Sequence, residues 1–125
     1  MLEFDMRFSL TAAVFVGVLA PVLETIRRWS TWRQNPPALF DDYLIGALLL
    51  SAVWIARRDA VRGRVLLSGG WGFTCAMAYV SIFAQIAAIS AGLPDPAPVP
   101  SGWVLTVKLI GGALAVAGLA LTVRG

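Results

Sequence analysis

Histidine is absent from this 125-residue chain. That removes the usual haem ligand, the commonest metal ligand and the commonest general base. Cysteine occurs once, as Cys75 inside an apolar stretch. It can form neither an intrachain disulfide nor a CxxC redox pair, and it reads as a small buried apolar residue. Metal enzymes, thiol–quinone oxidoreductases and cytochrome b-type proteins are therefore not expected, and the sequence nominates no catalytic residue, no metal site and no cofactor. Charge is also scarce: 14% of residues are charged against 58% hydrophobic. A chain this small cannot bury that much apolar surface in a soluble core.

What the chain does have is four long apolar runs, Phe8–Ile26, Phe40–Ala56, Val65–Ser90 and Trp103–Val123. An α-helix needs roughly 17–25 apolar residues to cross a bilayer. The expected fold is all-α: an integral membrane protein with four transmembrane helices in an antiparallel bundle, forming a single domain over residues 1–125. The leader MLEFDMRF carries Glu3 and Asp5 instead of a basic cluster, and the run behind it is long for a signal peptide, so a retained helix is expected. Nine of the ten basic residues are arginine and alanine is abundant, a composition that suggests a bacterial cytoplasmic (inner) membrane.

Four spans put the N-terminus, the middle connection and the C-terminus on one side. That side holds Arg7, Arg57, Arg58, Arg62, Arg64 and Arg124, against Arg27, Arg28 and Arg33 on the other. The positive-inside rule then places both termini in the cytoplasm. The net charge of +3 is explained by these helix-end arginines, and no nucleic-acid partner is expected. The inner segment ARRDAVRGR reads as a short basic loop in which Arg57, Arg58, Arg62 and Arg64 meet lipid headgroups or serve simply as topology determinants. The outer connections differ. Pro36 and Pro37 are expected to stop any helix in the first, where Trp29 and Trp32 suit an interface. The proline-rich AGLPDPAPVPSG should form an extended strap, with Ser101 as N-cap of the last helix.

Polar residues bordering the spans carry the functional signal. Glu24, Asp42, Gln85 and Lys108 all fall near the outer ends of their helices. Gln85 and Lys108 each lie about five residues in, roughly 7–8 Å, and so at similar depth. Each shares a helical face with small residues: Ala13, Gly17 and Ala20 with Glu24; Gly46 with Asp42; Thr74, Ala78 and Ser81 with Gln85; Gly111, Gly112, Ala115 and Gly118 with Lys108. Small stripes are where membrane helices approach closely, so Gly17, Gly111, Ala115 and Gly118 are expected at helix contacts. Pro21 should kink the first helix, and the SGGWG run at 68–72 is expected to serve close packing.

Two readings follow. In one, Lys108 with Glu24 or Asp42 lines a water-accessible cavity that binds an ion or small polar solute, as in a transporter or channel. In the other, Lys108 pairs with a carboxylate or snorkels, Gln85 bonds between helices, and the chain is a non-catalytic subunit of a larger complex. Besides the bilayer, its partner is then a second copy or another membrane protein docked through helix 4. In size and layout the chain resembles the small multidrug-resistance transporters, which work as dimers. The closing helix KLIGGALAVAGLALTVRG is similar in texture to those of the wider drug/metabolite transporter group. The resemblance implies transport. It does not extend to that family's mid-helix glutamate, because FVGVL in the first helix carries no carboxylate.

Overall fold

The computed structural model describes residues 2–29, 36–94 and 100–124. They form four helices, α1 (Leu2–Arg28), α2 (Pro36–Ala56), α3 (Ala60–Ser90) and α4 (Ser101–Arg124), with no strand among the described residues. All four are long and apolar enough to cross a membrane. At 31 residues, α3 is about 46 Å long at 1.5 Å per residue, well beyond a hydrocarbon core of about 30 Å. Its first turns are the basic ones, with Arg62 and Arg64.

The helix ends depart from the sequence expectation in three places. Pro36 and Pro37 do not interrupt a helix but open α2, because the first turn needs no intrahelical N–H donor and the ring pre-sets φ. The basic segment is a turn of only Arg57–Asp59, and Arg62 and Arg64 belong to α3. Asp59 caps α3 by accepting from the Arg62 backbone N–H at 3.2 Å. The turn is tight enough that a Cβ at Gly63 would lie 2.2 Å from Ala56 Cα. Ser101 lies inside α4, and the Pro100 carbonyl accepts from the N–H groups of Trp103 and Val104. At the far end of α3, Gly92 takes φ +69. The Gly92 and Leu93 N–H groups return to the Ile89 and Ala88 carbonyls, a Schellman stop. Most of the proline-rich connection and Trp32 lie outside the described residues.

Each helix runs antiparallel to its chain neighbour, and α4 returns to pack on α1. Gly17 of α1 lies against Leu50 and Leu49, and a Cβ on Gly46 would sit 2.7 Å from the Gly17 carbonyl oxygen. That carbonyl stands four residues before Pro21, which has no N–H to offer it. α1 runs unbroken through Pro21, and α2 approaches the vacated oxygen closely enough for a Cα–H contact. Of the SGGWG run, Gly70 packs on Leu49 and Trp71 is fully buried, whereas a Cβ at Gly69 or Gly72 would meet nothing within 4 Å. The core joins Ala13, Leu49, Ala52, Leu67, Trp71 and Ala115, with Cys75 packed partly buried against it. It fills the half of the bundle that holds both chain ends and the α2–α3 turn.

Candidate functional site: a cavity beyond the core

At the core end, polar groups lock the α1–α4 seam. Trp71 Nε1 donates to Ser9 Oγ at 2.9 Å, Ser9 shares a short hydrogen bond with Thr122 Oγ1, and Thr122 Oγ1 donates to the Gly118 carbonyl at 2.6 Å. The indole lies flat on Gly118, where a Cβ would come within 2.4 Å of the ring. One turn outward, Arg124 forms a bidentate pair with Asp5, at 2.8–3.0 Å, and the Asp5 side chain is only 3% exposed. Arg64 donates to the Thr122 and Val123 carbonyls, both at 2.9 Å, and so satisfies the last carbonyls of α4. Arg64 thus serves a helix end first. Arg58 stacks over Trp54 at 4.1 Å, and Arg62 pairs loosely with Asp59 in solvent.

Beyond the core, toward the α1–α2 and α3–α4 connections, side chains stop filling the bundle. A cavity of about 570 Å³ opens there. α1 contributes Ala20 and Glu24 to its wall, α2 Asp42, α3 Thr74, Ala78 and Ser81, and α4 Lys108 and Gly111. The structure thus brings Glu24, Asp42 and Lys108 to one space. Gln85, 3% exposed, sits just behind them. Its Oε1 accepts from Lys108 Nζ at 3.1 Å and from Arg27 Nη2 at 3.2 Å. Gln85 and Lys108 thus stand at similar depth, close enough to touch.

The carboxylate partners differ from expectation. Both oxygens of Glu24 are taken by its own helix, Oε1 by Arg27 Nη1 and Oε2 by Arg28 Nε, each at 2.8 Å. Arg27 and Arg28, beyond the end of the first apolar run, stand in the last turn of α1 at i+3 and i+4 from Glu24, the spacing at which helical side chains meet. That signal was present in ETIRR. Arg28 and Asp41 also line the cavity and were missed. On Asp41 and Asp42 no hydrogen bond or ion pair closes among the described residues.

The small-residue stripes divide by height. Gly17, Ala115 and Gly118 are spent inside the bundle, against Leu50, the core and Trp71 respectively. Gly111 meets nothing within 4 Å and borders the cavity, while Gly112 touches Ile82 and Ala78. The half of the α4 stripe expected to dock a partner is therefore turned inward in the single chain.

The arrangement can hold a solute by charge at one end and by apolar contact below. No group of three or more His, Cys, Asp or Glu suited to a metal occurs among the described residues. No protein-family model, curated protein or solved structure matches this chain.

Proposed function

We propose that the protein is a small polytopic membrane transporter or channel, in which an ion or small polar solute binds among Glu24, Asp42, Gln85 and Lys108. The cavity of about 570 Å³, with charges of both signs at one end, is the observation that carries this reading. Bundles that serve only as scaffolds pack to crystal-like density and leave few voids, whereas ligand sites are clefts of roughly 300–1,000 Å³ with a few convergent polar groups. In the N-in, C-in orientation the charged end faces out, and the setting is the inner membrane of a bacterium. The reading assigns the chain no catalytic step and no cofactor.

Reconstitution in sealed liposomes tests it. Protein-dependent flux of monovalent ions or labelled polar solutes is expected, falling at least ten-fold in Lys108→Ala and in Asp42→Asn. Absence of flux across that panel, with a foreign protein copurifying in fixed stoichiometry, would make the chain a subunit instead.

A further inference from the structure

A polar solute accounts for the charged end of the cavity but leaves its walls unexplained. Below Glu24 the α1 and α4 walls are apolar, with Phe15, Leu19 and Leu23 from α1 and Ile110 and Leu114 from α4, and only Thr74 and Ser81 of α3 bring hydroxyls to the described lining there. Several of these are also open to the outside, Phe15 at 59% and Ile110 at 57%. The cavity therefore opens through the flank of the bundle between α1 and α4, the loosest of the four helix seams. In a bilayer that flank faces acyl chains.

The charged end has its own balance. Among the described residues, Glu24, Asp41 and Asp42 line that end with Arg28 and Lys108, and Arg27 stands beside them on Glu24 and Gln85, so the described charges balance and are strongly divided. The division is uneven in its bonding. Arg27 and Arg28 hold Glu24, and Lys108 holds Gln85, while Asp41 and Asp42 accept from no described group. A carboxylate beside apolar walls in a membrane calls for a cation. Arginine and lysine carry several donors each, so Arg28 and Lys108 can still serve an anion beside the groups they hold.

We infer that the cavity seats a zwitterionic phospholipid with a primary amine in its headgroup, drawn sideways from the bilayer. The ammonium lies against Asp42 and Asp41, the phosphate turns to Lys108 and Arg28, and one acyl chain follows Leu23, Leu19 and Phe15 along the flank. A neutral, divided site matches a neutral, divided headgroup. An anionic lipid would leave the two aspartates facing added negative charge. The inference rests on the cavity being the ligand site proposed above, and it names the ligand class.

The test is lipid retention. Protein in nanodiscs of equal phosphatidylethanolamine and phosphatidylglycerol is extracted and its bound lipid read by native mass spectrometry. Phosphatidylethanolamine is expected to be enriched at least ten-fold over phosphatidylglycerol, and Asp42→Asn to erase that preference. Ile110→Trp, which fills the exposed flank and breaks no polar contact, is expected to lower retention of both lipids; this variant keeps the test open if Asp42→Asn misfolds. Equal or greater phosphatidylglycerol binding, or an unchanged preference in Asp42→Asn, overturns the inference. Displacement of the lipid by equimolar soluble phosphoethanolamine also overturns it, by returning the site to a purely polar solute. Flux without lipid retention sinks the lipid and spares transport; lipid retention without flux does the reverse.

Discussion

Gly118→Ala is the sharpest perturbation the packing offers. The new methyl would lie 2.4, 2.7 and 2.8 Å from Cε2, Cζ2 and Cδ2 of Trp71, where carbon atoms prefer about 3.5–4.0 Å. The ring must retreat by about 1 Å, yet Trp71 is fully buried and tied through Nε1 to Ser9 at 2.9 Å. Overpacking of this kind costs about 1–3 kcal/mol, and loss of the indole hydrogen bond adds about 0.5–1.5 kcal/mol. Helix propensity gives back up to about 1 kcal/mol for glycine to alanine. A net loss of roughly 0.5–4.5 kcal/mol follows. Gly111→Ala is the matched control: a Cβ there meets nothing within 4 Å, so it should be neutral or stabilise by up to about 1 kcal/mol. Reversible unfolding in mixed micelles, followed by circular dichroism, reads both. In a Trp71→Phe background the Gly118→Ala loss should shrink, because the smaller ring relieves the clash. Equal behaviour of Gly118→Ala and Gly111→Ala, or a loss independent of Trp71, would refute the packing argument.

Three further outcomes are expected. Arg124→Gln strands the buried Asp5 carboxylate; breaking a buried pair costs about 3–5 kcal/mol, and with Arg124 itself 60% exposed the loss should be nearer about 1–3 kcal/mol. Asp5→Asn combined with Arg124→Gln should cost less than the two single losses together, and strict additivity in the same unfolding assay would deny the pairing. Gly63→Ala sets a methyl 2.2 Å from Ala56 Cα, a backbone clash that no rotamer relieves, so a loss above about 3 kcal/mol is expected, with faster amide exchange at residues 56–63; unchanged protection there would count against it. Glu24→Gln takes the carboxylate from two arginines whose side chains are 10% and 23% exposed, and should destabilise by about 1–2 kcal/mol. The loss should be smaller when Arg27 and Arg28 are both glutamine; an equal loss in that background shows that the pairs carry no weight.

Hydropathy made the four helices legible, because a run of apolar residues long enough to span has few alternatives in so small a chain. Their ends were less so. Pro36 and Pro37 look like breakers on paper and act as starters in the fold, a distinction that depends on which N–H groups already lack partners. Arg62 and Arg64 looked like loop because charge interrupts the apolar run there while the helix continues. At the cavity, Glu24, Asp42 and Lys108 could be grouped because antiparallel helices of similar length bring equal depths together. What could not be read were the pairings across 109 and more residues, Ser9 with Gly118 and Thr122 and Asp5 with Arg124. Those depend on which helix closes the ring, and α1 meeting α4 is a fact of packing with no local signature.

The two ends of that α1–α4 seam divide the labour. At the core end, Ser9, Trp71, Thr122, Asp5 and Arg124 satisfy one another, and a bonded polar network inside a bundle fixes one geometry. At the cavity end each hairpin is internally tied, α1 to α2 through Thr25 and Tyr43 at 2.6 Å and α3 to α4 through Gln85 and Lys108. The hairpins are joined along α2 and α3, where Gly63 and Gly70 allow close contact. Across the mouth runs the bond from Arg27 to Gln85 at 3.2 Å. A hydrogen bond to a charged group contributes about 1.5–3 kcal/mol, small beside the packing it spans. Among the described contacts, widening the cavity would lift Arg27 from Gln85 and part α1 from α4 above Ala115, with α2–α3 as the spine and the Ser9–Trp71–Thr122 cluster undisturbed. Under the proposed function, a ligand that takes over one of those partners at the mouth would offset the lost bond with its own, which would couple ligand entry to the widening of the seam through the same few side chains.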